Sequence, residues 1–239
     1  MKSDECIAKL RELRKAVFTL NDMAVITQKE KNYLRVYLFR LKKKGKIKEV
    51  ERGKYALQQH PFITASNMVF PAYISFLSAY SYYQTTTQIP NSIYIITHSS
   101  KKAVFLENYR IQFIKLPAYR LFGYHREKFM EKDVFIADKE KAIVDSLYLP
   151  EYCPLDETYT ALGEELDISK LVSYALRMRS KVLLKRLGYL LELRRIDIYT
   201  QVKKQLNQRY DLLNPFQKRR KQKSKKWKLI INEVFEDVN

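Results

Sequence analysis

The sequence contains very little cysteine and histidine, and both shortages bear on the kind of protein it encodes. The two cysteines, Cys6 and Cys153, lie far apart, and neither belongs to a CxxC pair. The three histidines, His60, His98 and His125, are isolated from one another and from the cysteines. We therefore expect neither a Cys/His zinc site nor a disulfide framework. No metal and no other cofactor is predicted.

Long apolar runs are also missing. No stretch reaches the length of about 18 apolar residues that a membrane-spanning helix needs, and the N-terminal residues lack the apolar core of a signal peptide. We therefore expect a cytoplasmic protein without membrane contact. With 239 residues and ordinary apolar and charged fractions, the chain is long enough for one or two domains with hydrophobic cores.

Positive charge, by contrast, is in large excess. The chain has 45 Lys and Arg residues against 26 Asp and Glu residues, which gives a net charge of +19. A surplus of this size favours a polyanionic partner, such as DNA, RNA or an anionic surface.

The stretch from Phe18 to Leu57 is the most informative part of the chain. Thr19 is suited to cap a short helix, with Asp22 in the first turn, where the helix dipole favours a carboxylate. Thr27 followed by Glu30 has the spacing of a capping box. Two helices separated by a tight turn are therefore predicted.

The second of these helices is predicted from about Gln28 to Lys44, with Gly45 ending it. One side of the helix is apolar at helical spacing, and it consists of Leu34, Tyr37, Leu38 and Leu41. The opposite side carries no acidic residue. That side is the candidate surface for a polyanion.

The acid-free side has the residue types that contact DNA. Gln28, Asn32 and Arg35 are spaced to point the same way, and such side chains recognise base edges in a major groove. Val36 and Phe39 lie on the same side, where they could contact a thymine methyl group or pack on the second domain of the protein. The flanking basic residues, which would contact phosphates, are Lys29, Lys31, Arg40 and Lys43.

A hairpin is predicted directly after this helix. Its strands are Lys46–Val50 and Lys54–Leu57, and Gly53 in the loop can adopt positive φ. Arg52 and Lys54 at the tip would lie beside a phosphate backbone or a minor groove. The helix, turn, helix and hairpin together predict a winged helix-turn-helix; a solvated basic helix with a supporting hairpin is the simpler interpretation.

The fold class predicted for the whole chain is α+β. A further helix over Asp4–Ala16 completes the DNA-binding domain, and Pro61 biases His60 away from helix, which places a domain boundary there. Residues 1–60 are thus the winged helix-turn-helix domain. Residues 61–239 are predicted to form an α/β effector domain with a small sheet.

This second domain is predicted to begin with a helix from about Pro71 to Tyr83. The strands of its sheet are predicted at Ser92–Thr97, Val104–Leu106, Ile111–Ile114, Leu121–Tyr124 and Val134–Ile136. From about residue 155 the pattern is helical, with helices at Ile168–Met178, from Ser180 onward and at Asp197–Leu206. A basic run at residues 218–226 precedes a strand, Trp227–Ile231, that should return to the sheet.

Asp138 is predicted to cap a helix that ends before Pro150. Lys141 and Asp145 lie four residues apart on this helix and can form an ion pair. Carboxylates around a lysine are also typical of metal-dependent nucleases. Glu140 points away from the side of Asp138 and Asp145 on a helical wheel, however, which favours capping and salt bridges over catalysis.

Several short segments, taken in order, resemble a known family. They are Phe18–Asp22, Lys44–Ile47, Arg52–Tyr55, Tyr73–Tyr80, Gln88–Pro90, Leu121–Gly123, Ala137–Asp145 and Arg186–Leu191. On these segments the chain resembles the AbiEi family of antitoxins and transcriptional regulators from abortive-infection (type IV) toxin–antitoxin operons. The resemblance extends to about Leu193.

The resemblance implies two activities. The N-terminal winged helix would repress its own operon by binding repeats in the promoter. The C-terminal domain would counteract a nucleotidyltransferase-like toxin, by contact with the toxin or through the toxin's RNA substrate. No catalytic residue is assigned, and no enzyme activity is expected. The candidate residues for the antitoxin activity are Asp138, Glu140, Lys141, Asp145 and Arg186.

Two alternatives from other functional classes stay open. One is an RNA-binding module that uses the basic run at 218–226 as its main contact. The other is a metal-dependent nuclease that uses Asp138, Glu140 and Asp145. One DNA-binding domain is predicted in each chain. Two copies of the protein on an inverted repeat would suit a winged-helix repressor.

Overall fold

A computed structural model describes residues 3–12, 15–57, 60–218, 220 and 222–235 and has an α+β fold. Contacts divide the chain into two compact units. Unit 1 contains residues 1–73, 91–116 and 126–136, and unit 2 contains residues 74–90, 117–125 and 137–239. The segment predicted as a DNA-binding domain lies in unit 1, together with most strands that were predicted for the second domain.

Unit 1 begins with three helices and a three-stranded antiparallel sheet. The elements are α1 (Ser3–Glu12), β1 (Val17–Thr19), α2 (Leu20–Thr27), α3 (Lys31–Lys43), β2 (Ile47–Glu51) and β3 (Lys54–Leu57). The sheet has the order β1-β3-β2, and β1 was not predicted. A buried cluster that includes Leu10, Phe18, Met23 and Leu34 forms the core of these elements.

Two local predictions are confirmed, the cap at the start of α2 and the glycine at the end of α3. The Thr19 hydroxyl accepts a hydrogen bond from the backbone N–H of Asp22, and Asp22 accepts one from the backbone N–H of Thr19, which is a complete capping box. Gly45 has a φ of +66° after α3. Its N–H donates to Lys42 and that of Lys46 donates to Leu41, which is a Schellman motif.

The capping box predicted at Thr27 and Glu30 is wrong. Thr27 is the last residue of α2, and its hydroxyl donates to the carbonyl of Met23 at 2.7 Å. Gln28 takes a left-handed conformation that ends α2. Glu30 is the N-cap of α3 but makes no side-chain capping bond, so α3 begins at Lys31 and not at Gln28.

A six-stranded sheet forms the second half of unit 1. Its order is β6-β7-β5-β4-β9-β8, and α4 (Pro61–Ser66) precedes it in the chain. The strands predicted at Ser92–Thr97 and Val104–Leu106 are confirmed. The six strands are β4 (Ala72–Ile74), β5 (Ser92–Thr97), β6 (Val104–Leu106), β7 (Tyr109–Lys115), β8 (Tyr124–Phe129) and β9 (Lys132–Ala137).

The sequence predictions fail at two places in this sheet. The helix predicted from Pro71 begins only at Phe76, because Ala72–Ile74 form the buried inner strand β4. The strand predicted at Leu121–Tyr124 is absent, and β8 begins where that prediction ended. The edge strand β8 is largely polar, so it lacks the apolar pattern that identifies a buried strand.

Unit 2 is mainly helical. Its helices are α5 (Phe76–Tyr83), α6 (Lys139–Tyr148), α7 (Leu155–Ala161), α8 (Ile168–Arg177), α9 (Lys181–Leu193) and α10 (Tyr199–Val202). A small sheet follows, with the order β10-β12-β11, from β10 (Asp211–Leu212), β11 (Lys223–Ser224) and β12 (Leu229–Ile230). The predicted last strand therefore joins this separate sheet and not the large one. No helix in the described residues is long and apolar enough to cross a membrane.

Trp227 attaches the small sheet to α9. Its side chain is fully buried, and its indole N–H donates to Glu192. A Cβ atom added to Gly188 would lie 2.1 Å from the Trp227 ring. Glycine at position 188 therefore allows the Trp227 indole to pack against α9, since only a residue without a side chain lets the indole approach the helix this closely.

We expect Gly188→Ala to destabilise the protein by about 1–3 kcal/mol through overpacking. Helix propensity alone would favour alanine by about 1 kcal/mol, so the two effects have opposite signs. Urea unfolding measures the free energy. Adding Trp227→Leu to Gly188→Ala should cost less than the sum of the two single changes, and a stabilised Gly188→Ala variant would contradict this packing role.

Candidate nucleic-acid interface

The inner side of α3 is built as predicted. Leu34, Leu38 and Leu41 are buried, and Tyr37 is half-buried. These side chains fix the rotation of the helix about its axis. The remaining residues of α3 consequently face away from the core.

The outer side of α3 carries polar and basic side chains. Asn32 and Arg35 are both exposed, and the Arg35 guanidinium donates to Asn32 Oδ1 at 2.9 Å. The exposed basic residues of the predicted set are Lys29, Lys31, Arg40 and Lys43. Between Lys31 and Lys43 the helix contains no acidic residue.

The turn before α3 departs from the predicted surface in two ways. Gln28 and Lys29 are exposed but precede the helix. Gln28 therefore does not continue the helical row of Asn32 and Arg35. Glu30 is also exposed beside them, so the N-terminal edge of this surface carries one carboxylate.

Two apolar side chains interrupt the basic surface. Val36 is 51% exposed and Phe39 is 55% exposed. The Lys43 ammonium lies 5.1 Å from the centroid of the Phe39 ring, within the range of a cation–π contact.

The turn between β2 and β3 holds the two predicted basic residues in different environments. Arg52 is exposed at the turn. Lys54 is half-buried, donates to the carbonyl of Met68 at 2.9 Å and pairs with Glu51 at 3.1 Å. Lys101 also donates to Glu51, at 2.8 Å. Burial acts to raise the pKa of Glu51, but the hydrogen bonds from Lys101 and Lys54 outweigh burial and lower it.

A second group of candidate residues lies on α6 in unit 2. The ion pair predicted between Lys141 and Asp145 is confirmed, and both side chains are completely buried. Ser75 adds a hydrogen bond to Asp145 Oδ2 at 2.8 Å. Burial lowers the pKa of Lys141, and Asp145 opposes that shift. This arrangement neutralises two buried charges, and it leaves Asp145 inaccessible to a substrate.

Asp138 and Glu140 belong to a more open cluster. Tyr174 and His125 each bond Asp138 at 2.8 Å, and Lys170 lies 3.1 Å from Asp138 and 2.9 Å from Glu140. These hydrogen bonds outweigh burial, which acts in the opposite direction, and lower the pKa of Asp138.

Two expectations for this cluster need correction. Asp138 is the N-cap of α6 by position, but its side chain makes no capping bond because Tyr174, His125 and Lys170 engage it. Glu140 does not point away from Asp138, since Lys170 bridges the two carboxylates. The backbone of Asp138 is not helical, so a helical wheel does not describe its direction.

Arg186, the remaining candidate of unit 2, is buried on α9. Its guanidinium donates to the carbonyls of Leu147 at 3.0 Å and Leu212 at 3.3 Å. Burial lowers the pKa of Arg186 to about 10, although Asp211 opposes the shift. These contacts connect three parts of unit 2 and indicate a structural role.

Sequence reasoning missed the partners of these groups. These partners are Ser75, His125 and, on α8, Lys170 and Tyr174, and no spacing along the chain relates these three segments to α6. Burial of Lys141 could have been suspected, because the neighbouring residues Ala142, Ile143 and Val144 leave little polar surface on this helix.

The comparisons with known proteins find a similar fold and no match to a family or a curated protein. The crystal structure of the RV2827C protein from Mycobacterium tuberculosis is similar, with a TM-score of 0.65 and 12% sequence identity. The similarity covers 95% of this chain and 90% of that protein's chain. At this identity the comparison supports the α+β architecture and carries no function across.

We expect Asp145→Ala to destabilise the protein by about 3–5 kcal/mol, because the Lys141 ammonium would stay buried without its carboxylate. The double variant Lys141→Met/Asp145→Leu should be close to neutral, since both charges are removed together. Urea unfolding of both variants and the wild type gives the comparison. Equal losses in the single and the double variant would argue against this role of the pair.

Proposed function

We propose that residues 3–57 form a winged helix-turn-helix and that the protein is a DNA-binding transcriptional regulator. In this proposal α2 and α3 are the helix-turn-helix, β2 and β3 are the wing, and α3 is the recognition helix. The outer side of α3 is the observation that carries the proposal. It combines exposed basic residues with a hydrogen-bonded Asn32–Arg35 pair and has no acidic residue.

The dimensions and chemistry of α3 suit a major groove. An α-helix with its side chains is about 10–12 Å across, which fits a major groove about 12 Å wide. Asn recognises adenine and Arg recognises guanine through paired hydrogen bonds. The bond between Asn32 and Arg35 limits the freedom of the guanidinium before DNA arrives. Val36 is an exposed aliphatic side chain next to Arg35 in the sequence and is suited to a thymine methyl group.

Glu30 restricts how a duplex can approach. Its carboxylate would repel phosphates near the N-terminus of α3, so we assign the backbone contacts to Arg40 and Lys43 at the other end. Arg52 on the wing would supply a further phosphate or minor-groove contact. Lys54 contributes less, because it is already bound to Glu51 and Met68.

We further propose, on the resemblance to the AbiEi family, that the protein represses a toxin–antitoxin operon and acts as its antitoxin in the cytoplasm. Promoter repeats would bind paired copies of the protein. A nucleotidyltransferase-like toxin or its RNA substrate would be the second partner. Among the antitoxin candidates of unit 2, Asp138 has the most accessible surroundings, since its partner His125 is exposed.

The nuclease alternative receives no support from the geometry of its three carboxylates. Asp145 is buried against Lys141, and Asp138 and Glu140 share Lys170. A metal-dependent nuclease needs carboxylates that converge on an accessible metal. Here each carboxylate already has a cationic partner.

We expect Asn32→Ala or Arg35→Ala to weaken binding to a preferred duplex by about 1–3 kcal/mol and to relax sequence preference, whereas Lys43→Ala should weaken all duplexes alike. The preferred duplex is first selected by the wild-type protein from a random library. Fluorescence anisotropy then compares it with a scrambled duplex of equal composition, over a range of salt concentrations.

Lys204→Ala is the matched control for this test, because Lys204 is an exposed lysine of unit 2. It should leave both affinities almost unchanged. Equal losses for Asn32→Ala, Arg35→Ala and Lys43→Ala on both duplexes would contradict base recognition by α3.

The antitoxin activity should not depend on α3. We expect co-expression of the protein to restore growth of cells that express the proposed partner, a nucleotidyltransferase-like toxin encoded in the same operon. Arg35→Ala, expressed from an unrelated promoter, should restore growth equally well at equal protein level. Failure of the wild-type protein to restore growth would refute the antitoxin part of the proposal and leave the DNA-binding part intact.

A further inference from the structure

The C-terminal sheet carries a concentration of positive charge that the proposed DNA-binding surface does not use. Between Asp211 and Glu233 the sequence contains no acidic residue. The basic residues in this interval that the structure describes are Lys218, Arg220, Lys223, Lys225, Lys226 and Lys228. Lys218, Arg220, Lys223 and Lys225 are exposed. Arg219 and Lys221 lie outside the described residues.

A tyrosine lies within this basic surface. Tyr210 is half-buried just before β10. The ammonium groups of Lys223 and Lys228 lie 5.2 Å and 5.6 Å from the centroid of its ring. The backbone N–H of Asp211 donates to the carbonyl of Lys228 at 3.1 Å, so strand pairing holds the ring beside the lysines.

A buried lysine holds the segment that carries Tyr210. The side chain of Lys185 on α9 is completely buried. It donates to Asn207 Oδ1 and to Asp211 Oδ2, both at 2.7 Å, and also to the carbonyl of Arg209. Three bonds from one rigid helix thus fix the chain on both sides of Tyr210, and the ring position is set by the fold.

Three acidic residues bonded to this part of unit 2 have cationic partners of their own. Asp211 is paired with Lys185. Glu192 and Asp197 bind Lys226, at 3.0 Å and 3.3 Å. The basic side chains around Tyr210 therefore face no uncompensated carboxylate among these residues, and an incoming anion would meet a net positive surface.

We propose that this surface, formed by Tyr210, Lys223, Lys225 and Lys228, binds an unpaired polynucleotide strand. A base would stack on the Tyr210 ring by displacing a lysine ammonium from its face, and the displaced ammonium would then pair with a neighbouring phosphate. Surfaces that bind single strands combine an aromatic ring with a basic path for the backbone.

An unpaired strand fits this surface better than a duplex does. The flat faces of bases are hidden inside a duplex and become available in single-stranded loops and ends. In the described residues, the proposed surface is built from short strands and their connections, and not from a helix that could enter a major groove. RNA and single-stranded DNA share the chemistry of stacking and phosphate pairing. They differ in the sugar, so the experiment compares a ribonucleotide probe with a deoxyribonucleotide probe.

The test uses the full-length protein and measures fluorescence anisotropy with a labelled oligoribonucleotide of mixed sequence. The corresponding oligodeoxyribonucleotide and a DNA duplex serve as comparison probes. Tyr210→Leu should weaken binding of the single strands by about 5- to 150-fold, the equivalent of ~1–3 kcal/mol for one stacked base. Tyr210→Phe should retain most of the affinity, because it keeps the ring.

The salt dependence provides a second readout. Each phosphate contact to a single strand contributes about 0.7 to the slope of log affinity against log salt concentration. Lys223→Gln should therefore reduce that slope by about 0.7. Lys204→Gln removes an exposed lysine outside the surface, and Tyr119→Leu removes an exposed tyrosine outside it. Both controls should bind like the wild type.

The binding measurements distinguish this surface from the outer side of α3. Arg35→Ala should keep its affinity for the oligoribonucleotide, and Tyr210→Leu should keep its affinity for the preferred duplex. Unchanged single-strand binding in Tyr210→Leu would overturn the proposal. Equal weakening of the duplex and both single strands by Tyr210→Leu would also overturn it, because the surface would then be a general polyanion contact.

Discussion

Burial of Leu34, Leu38 and Leu41 is the constraint on which the proposed interface depends. These leucines recur along one side of α3, and their burial leaves the helix a single possible rotation. Asn32 and Arg35 then point outward with Arg40 and Lys43. The outer surface is thus a consequence of the core. A helix with the same basic residues but a weaker apolar side could turn, and its polar residues would have no fixed direction.

In unit 2 the main electrostatic constraint is the burial of cationic side chains. Lys141, Lys185 and Arg186 are all buried in a protein that carries a large excess of positive charge. Asp145 neutralises the first and Asp211 the second, while carbonyl groups accept from the third. Two carboxylates of unit 2 thus neutralise two of its buried cations. Other basic residues, such as Lys223 and Lys225, lie exposed to solvent near the C-terminal sheet.

The sequence predicted several elements whose cause is local, although the capping box at Thr27 and Glu30 was wrong, and it missed elements whose cause is distant. The Thr19–Asp22 capping box, the end of α3 at Gly45 and the Lys141–Asp145 pair each depend on residues within one turn. Strand β4 was predicted as helix because its burial between β5 and β9 comes from distant segments. The outer side of α3 could be predicted from helical spacing. The cluster around Asp138 and the contacts of Tyr210 could not, since their members meet only through tertiary packing.

The ion pairs of Glu51 with Lys54 and Lys101 affect how much conformational entropy the β2–β3 hairpin could lose on binding. They join the β2–β3 turn to the loop after β5 within unit 1, and the bond from Lys54 to the Met68 carbonyl adds a third connection. A hairpin fixed in this way loses its conformational freedom during folding, so it would have little left to lose if it bound a ligand as proposed. Its orientation should accordingly be the same in the free and the bound protein.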